Sequence, residues 1–187
     1  MMWKHEPDEH RWTDSASGYQ CLVVRVKELG TLCGYVAVPQ THPWYGLPYN
    51  AIVRIPDRLL EQKRGEHEYN LMALAASIMR GKRVRRDGIE ITNALAVHGG
   101  VTFSGFIEDF YCFGFDCCHA GDLVPEWPKI AMEIEIPEKI KDTIETGEYR
   151  TIRYVMEQCA KLAAQLKEIE CCLSMKNVSP DFRGANQ

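Results

Sequence analysis

Two glycine-rich segments of this chain each carry a histidine, and the second also carries two aspartates. The first reads V-H-G-G-V-T-F over residues 97–103, and the second reads G-F-D-C-C-H-A-G-D over residues 114–122. Glycine lets the backbone turn and lets a ligand approach closely. Histidine and aspartate are the side chains most used for proton transfer, metal ligation and polar recognition. The two segments therefore predict a pocket, lined by His98, Gly99, Gly100, Thr102, Asp116, His119 and Asp122.

A mixed set of histidines and carboxylates can bind a metal ion, and such ligands suit zinc, manganese or iron. The candidate ligands are His98, His119, Asp116 and Asp122, with His42 as a further candidate. The H-E-x-x-H and H-x-x-E-H motifs of zinc enzymes are both absent from the sequence. A structural interpretation stands beside this one, in which the aspartates bond turn amides and the histidines bond the backbone. A divalent metal is therefore a candidate cofactor.

The cysteines offer a second set of reactive groups. Cys112, Cys117, Cys118 and His119 form C-x4-C-C-H, whereas structural zinc sites usually use paired C-x2-C motifs. A cysteine beside a histidine also suggests a nucleophile, but catalytic partners meet in space and not by adjacency in sequence. We expect most of the eight cysteines to be small buried hydrophobes.

Residues 39–50 predict an ordered loop rich in proline and aromatic residues, which displays His42, Trp44, Tyr45 and Tyr49. Trp44 and Tyr45 would offer flat faces for stacking a base or another ring. The amides of Gly99 and Gly100 could approach phosphates, although neither common phosphate-binding glycine motif is present. In the alternative interpretation, these aromatics pack the loop onto the core.

The composition is that of a globular protein with one domain. The chain has 187 residues, a hydrophobic fraction of 45% and a net charge of -4. The acidic balance does not favour general nucleic-acid binding. The polar N-terminus lacks an apolar signal region, and no apolar run is long enough to span a bilayer, so a cytosolic protein without membrane contact is predicted.

The hydrophobic pattern predicts a single α+β domain. A mainly antiparallel sheet of about five strands would pack against a long C-terminal helix and one or two shorter helices. We predict an N-terminal arm over 1–18 with Trp3 and Trp12 as anchors, the domain over 19–172, and a flexible tail over 173–187. The predicted strands cover 21–26, 32–38, 52–55, 94–97, 101–106 and 111–115, with an edge strand or ordered loop over 130–137, and the predicted helices cover 57–64, 68–80 and 149–169.

The last of these helices has the clearest pattern. Its apolar residues share one face at helical spacing: Ile152, Val155, Cys159, Leu162, Ala163, Leu166 and Ile169. Small residues on this helix would permit close packing against the sheet or against a second subunit, so a homo-oligomer is compatible with the sequence.

Several of these strings together resemble a family of small proteins encoded by bacteriophages and prophages. The strings are G-Y-V-A-V-P, H-P-W-Y-G, V-H-G-G-V-T-F, G-F-D-C-C-H-A-G-D and, over residues 149–166, Y-R-T-I-R-Y-V-M-E-Q-C-A-K-L-A-A-Q-L. They span most of the chain, from about residue 20 to 170. The resemblance implies a phage origin and the cytoplasm of a bacterial host, and it brings no activity with it. Small phage proteins often act against the host, for example by binding or destroying nucleotide immune signals, which is an analogy only.

Three functional hypotheses follow. The leading one is a phage accessory protein with a counter-defence role that binds and sequesters a small, nucleotide-like ligand, stacked by Trp44 and Tyr45. The alternative is a small-molecule or nucleotide hydrolase or lyase, in which His98 and His119 act as acid and base or as metal ligands and Asp122 orients one of them. The second alternative is a protein that docks on and inhibits a host enzyme through its aromatic loop.

Overall fold

A five-stranded antiparallel sheet and one long helix form most of the described structure. The computed structural model describes residues 2–54, 89–127 and 147–174. The sheet has the order β1-β2-β3-β7-β6. Its strands are β1 (Glu9–Thr13), β2 (Gln20–Arg25), β3 (Leu32–Val38), β6 (Phe103–Ile107) and β7 (Phe110–Asp116). Outside the sheet lie a 3-10 helix (Met2–His5), the paired strands β4 (Ile52–Val53) and β5 (Ile89–Glu90), and the helices α1 (Ile91–Ala94) and α2 (Ile152–Ser174).

The core lies between the sheet and α2, which contacts β2 and β3. Side chains on alternate positions of the strands point to the helix, and Val23, Val36 and Phe113 are fully buried there. Gly34 in β3 faces Cys159 of α2, and a Cβ at Gly34 would lie 2.7 Å from the Cys159 sulfur. A glycine at this position therefore allows the helix to lie close to the sheet.

Helix α2 confirms the predicted apolar stripe. Val155, Cys159, Leu162, Ala163, Leu166 and Ile169 are all buried. The helix begins at Ile152 and not at Tyr149, because the Thr151 hydroxyl accepts a hydrogen bond from the Tyr154 amide at 3.3 Å and caps the first turn. The antiparallel sheet and this helix together confirm the predicted α+β class.

The described part of the predicted N-terminal arm, residues 2–18, includes a strand of the main sheet. Residues 9–13 form the edge strand β1, in which Trp12 pairs with Cys21 of β2. The preceding residues are also bonded, since the Arg25 guanidinium donates to Asp8 at 2.9 Å. Sequence reasoning missed this strand because none of its positions is buried, and only exposed and half-buried positions alternate along it, as expected for an edge.

The predicted strand over 94–97 is also wrong. The chain forms the short helix α1 up to Ala94, and residues 95–102 belong to no strand. Ile91, Ala94 and Leu95 are all buried at spacings of three and four residues. A short apolar run of this kind fits a buried strand and a buried helix equally well, so periodicity cannot decide between them.

Several other predictions lie outside the described residues. They are the helices over 57–64 and 68–80, the edge strand or loop over 130–137, and the tail beyond residue 174. Among the residues that the structure describes, no helix combines the length and the apolar character needed to cross a membrane.

Candidate functional site

Two tight turns position the two histidines of the site. His98 precedes Gly99 and Gly100, which have positive φ values of 64° and 89° and turn the chain. His119 follows β7 in a turn that closes with a hydrogen bond from the Asp122 amide to the His119 carbonyl at 2.9 Å. A positive φ costs glycine little, so these turns depend on the glycines seen in the sequence.

A third segment completes the site by pairing with residues 121–123. Asp122 and Glu148 form a parallel β-bridge. The Leu123 amide donates to the Glu148 carbonyl at 3.0 Å, and the Glu148 amide donates to the Gly121 carbonyl at 2.8 Å. This pairing brings Arg150 and the first turn of α2 to the carboxylate of Asp122.

The Asp122 carboxylate is the centre of the cluster and is only 3% exposed. Its Oδ2 accepts hydrogen bonds from His98 Nε2 at 2.7 Å and from the His119 amide at 2.9 Å, and its Oδ1 accepts one from Arg150 Nε at 2.8 Å. Burial by itself raises the pKa of Asp122, but the bonds from Arg150, the His119 amide and His98 outweigh burial and lower the pKa overall. Asp122 is therefore an ionised carboxylate at neutral pH.

His98 uses both of its ring nitrogens. Because a carboxylate can only accept, Nε2 carries the hydrogen that Asp122 receives. The other nitrogen, Nδ1, lies 2.9 Å from the Tyr154 hydroxyl, which donates to it when His98 is neutral. Burial raises the pKa of Tyr154, although Arg150, 5.0 Å above its ring, acts to lower it. His98 is thus held in one orientation by a carboxylate and a phenol.

His119 is the more accessible histidine, with 30% of its side chain exposed. Its ring meets His98 edge to face, with the ring centres 5.3 Å apart. Its Nδ1 lies 3.7 Å from Asp122 Oδ2 and 3.7 Å from Asp116 Oδ1, too far for hydrogen bonds. This nitrogen is shielded from solvent and has no hydrogen-bond partner among the described residues.

Gly99 makes room for the His119 ring. A Cβ at Gly99 would lie 2.1 Å from Cε1 of that ring, which no real contact allows. The two glycine-rich segments identified in the sequence therefore meet in space. The close approach that glycine permits is made at Gly99 by the His119 ring and not by a ligand.

Three potential donor atoms lie close enough together to bind one metal ion. Nitrogens of His98 and His119 and an oxygen of Asp122 lie within 4.8 Å of one another. Asp116, although predicted as a ligand, is engaged in its own turn: it accepts from the Thr102 hydroxyl at 2.8 Å and from the Cys118 amide at 3.1 Å. The bond to the Cys118 amide gives Asp116 a structural role in the turn after β7, and the bond from Thr102 ties the two glycine-rich segments together.

His42 does not join this cluster. Its Nδ1 accepts from the Trp44 amide at 3.0 Å, so its Nε2 carries the hydrogen and donates to the Leu166 carbonyl at 3.0 Å. Burial lowers the pKa of His42, which is 3% exposed. His42 thus fastens the loop over 39–50 to α2, and its predicted role in metal or ligand binding is corrected.

Two of the loop aromatics, Trp44 and Tyr45, pack against the core. Trp44 is 2% exposed and packs edge-on against Phe113, so it cannot stack an external ring. Tyr45 packs on Tyr111 with ring centres 5.2 Å apart. The alternative interpretation, in which the aromatics pack the loop onto the core, is the correct one for Trp44.

All eight cysteines are free thiols, and six of them are buried, whereas Cys118 and Cys171 are exposed. Burial raises the pKa of Cys112 to about 11 and also raises those of Cys117 and Cys118. A protonated thiol is a poor nucleophile and a poor metal ligand. The raised pKa values of Cys117 and Cys118 therefore do not favour either thiol as the reactive group.

Sequence reasoning missed two members of the site, Arg150 and Tyr154. Part of the signal was present, because both residues fall at the start of the helix predicted over 149–169 and are four positions apart, although Arg150 precedes the observed helix. What the sequence lacked was any sign that this helix end meets Asp122.

Comparison with known proteins gives no relative. No protein-family model, no curated protein and no solved structure matches the chain.

Proposed function

We propose that the protein is an enzyme, a hydrolase or lyase that acts on a small polar molecule at the cluster of His98, His119 and Asp122. The observation that supports this most is the buried, ionised Asp122 that fixes one histidine and contacts the backbone of another. A carboxylate that orients an imidazole is a recurring arrangement in proton transfer and in metal ligation. Both kinds of chemistry lead to hydrolysis or elimination.

The other two hypotheses have less support. Sequestration of a nucleotide-like ligand assigned ring stacking to Trp44, which is buried in the core. Docking on a host enzyme would leave the Asp122 network without a role. A nucleotide-like substrate remains part of the proposal, by analogy with phage proteins that destroy nucleotide signals.

The contacts of each residue in the cluster indicate its role in the proposed reaction. Asp122 carries the negative charge and holds His98, while Arg150 keeps Asp122 ionised. His119, partly exposed and next to His98, is the side chain of the cluster that a substrate reaches most easily.

The proposal is tested by turnover of linear and cyclic nucleotides and of nitrophenyl esters and phosphates by the full chain. We expect turnover of at least one class by the wild type, and a loss of at least about 100-fold in His119→Ala. His10→Ala is the matched control, because His10 stacks on Trp12 in the edge strand β1, away from the cluster residues. Equal turnover by His119→Ala and His10→Ala would contradict the proposal, and so would stoichiometric capture of a nucleotide without conversion.

A further inference from the structure

We propose that His98 Nε2, His119 Nδ1 and Asp122 Oδ2 bind one divalent transition-metal ion. This inference rests on the proposed function and names its cofactor. Two imidazoles and one carboxylate form a ligand set that zinc, iron and manganese accept. With three protein ligands, such an ion keeps a position for water and lowers the pKa of that water.

The distances between the donor atoms fit a single ion. Ligands at zinc-like bond lengths in a tetrahedron lie about 3.3 Å from one another. His98 Nε2 lies 2.7 Å from Asp122 Oδ2, and His119 Nδ1 lies 3.7 Å from the same oxygen. All three donor atoms lie within 4.8 Å of one another, so shifts of about half an ångström at the two Asp122 contacts and of at most about 1.5 Å between the histidine nitrogens would form a ligand shell.

The unpaired nitrogen of His119 is the second and independent observation. Its Nδ1 is shielded from solvent, faces Asp122 and Asp116 at 3.7 Å, and bonds to no described group. Leaving a buried polar atom without a partner costs free energy, so such an atom calls for an explanation. A cation between His119 and Asp122 supplies the missing partner.

The surroundings of the three donors suit an ion. Metal-binding histidines usually donate their second ring hydrogen to a nearby oxygen. When the ion takes Nε2 of His98, the hydrogen moves to Nδ1, which then donates to the Tyr154 hydroxyl oxygen 2.9 Å away. Arg150 bonds Oδ1 of Asp122, while at Oδ2 the ion would replace the hydrogen bond from His98 beside the one from the His119 amide.

The local charge favours a dication. Asp116, Asp122 and Glu148 are carboxylates at or beside the cluster, and Arg150 pairs with two of them. Within the described part of the chain, this leaves the cluster with an excess of negative charge.

The test is metal binding to the full chain after removal of bound metal with a chelator. Zn²⁺ is titrated by calorimetry, and Co²⁺ is titrated by absorption spectroscopy. We expect one tight equivalent of Zn²⁺, and visible Co²⁺ bands without the near-ultraviolet charge-transfer band of a cobalt–thiolate bond. The absence of a tight equivalent would overturn the proposal, and a thiolate band would overturn the ligand set.

Matched variants locate the ion. We expect His119→Ala and Asp122→Asn to lose the tight equivalent, and His10→Ala and Cys118→Ser to keep it. We expect Tyr154→Phe to weaken Zn²⁺ binding by about 10- to 100-fold, because it removes the oxygen that receives the second hydrogen of His98. His119 is partly exposed, so its variant should fold, and circular dichroism checks this. Wild-type affinity in folded His119→Ala would contradict the proposal.

The same preparations separate this inference from the proposed function. Turnover that survives complete removal of metal, and that His119→Ala abolishes, would refute the metal and keep the enzyme. A tight equivalent of Zn²⁺ at the three residues without any turnover would keep the metal site and refute the enzyme.

Discussion

At the scale of single residues, the site depends on how Asp122 is neutralised. A buried carboxylate is costly unless it is paired and hydrogen-bonded. Asp122 meets this condition with three donors, one from each segment that builds the site: His98, the His119 amide and Arg150. The contacts that offset the free-energy cost of burying Asp122 also fix the orientation of the His98 ring.

Arg150→Ala should therefore destabilise the fold. Removing the guanidinium leaves the buried Asp122 without its cation, and the free energy of unfolding should fall by about 3 kcal/mol. Arg153→Ala is the control, because the Arg153 side chain is 88% exposed and pairs with the exposed Glu157 on the same helix face, so its effect should stay within about 0.5 kcal/mol. Urea unfolding measures both. Equal effects of the two substitutions would show that Arg150 does not stabilise Asp122.

Gly99→Ala should displace His119. The new methyl group would occupy the place of the His119 ring, in addition to the strain of a positive φ. Gly46→Ala isolates that strain, because Gly46 has a φ of 79° and no atom lies within 4 Å of the added carbon.

We expect Gly46→Ala to cost about 1 kcal/mol and Gly99→Ala about 1 kcal/mol more. Chemical shifts of the His119 ring protons should change in Gly99→Ala alone. Unchanged shifts in that variant would mean that the ring does not rest on Gly99.

At the scale of elements, the loop over 39–50 packs onto the core and does not present Trp44 as a surface for ligand stacking. Trp44 fills the core beside Phe113, and His42 bonds the backbone of α2. Trp44→Ala should lower the free energy of unfolding by about 4 kcal/mol, as truncation of a buried aromatic does. Tyr49→Ala, at a residue 40% exposed, should cost about 0.5 kcal/mol or less. Thermal unfolding of both variants measures this difference. A Trp44→Ala protein as stable as the wild type would contradict the buried position of Trp44.

The other end of α2 is fastened by an acidic residue. Glu170 accepts from the Tyr19 hydroxyl at 3.0 Å and from Lys167 at 2.6 Å. Burial acts to raise the pKa of Glu170, but the bonds from Lys167 and Tyr19 outweigh it and lower the pKa below the ordinary 4.5.

This anchor should therefore make stability depend on pH. A lowered pKa in the folded state means that the stabilisation, about 1 kcal/mol, is complete above pH 4.5 and is lost as the pH falls through the folded-state pKa. The difference in unfolding free energy between wild type and Glu170→Gln should shrink in that range. Glu157→Gln is the exposed control. A difference that grows on acidification would contradict the anchor.

At the scale of the whole molecule, the site exists only in the folded chain. Its residues come from the turn at 98–100, the turn at 116–122 and the segment at 147–154, and they meet through the sheet and α2. A ligand that binds this cluster therefore binds the folded state and stabilises it.

Zn²⁺ should accordingly raise the stability of the chelator-treated protein. At a concentration 100 times the dissociation constant, the free energy of unfolding should rise by up to about 2.7 kcal/mol. The eight cysteines of the unfolded chain also bind zinc and reduce this gain. In His119→Ala we expect no gain, or a loss, because only the unfolded chain then binds zinc. Urea unfolding with and without the ion measures this, and an equal gain in both proteins would place the ion elsewhere.

The sequence by itself determined the elements with strong patterns. The stripe from Ile152 to Ile169 indicated a helix because its helical period is sustained over the element, and the apolar run Leu32–Val38 after the turn at 28–31 indicated a returning strand. Weaker signals failed: the edge strand over 9–13 and the run over 94–97 are too short or too irregular for periodicity to assign.

For the site, the sequence determined which residues carry chemistry, and only the tertiary structure decided which of them meet. Composition and glycine spacing pointed to His98, His119 and Asp122, because each lies in a turn that only glycine permits. His42 and Trp44 have equally suggestive side chains, yet packing turns them into the core. Arg150 joins the site through the pairing of Glu148 with Asp122, a contact between segments far apart in the chain. Such contacts depend on the summed packing of the whole fold, which no local pattern encodes.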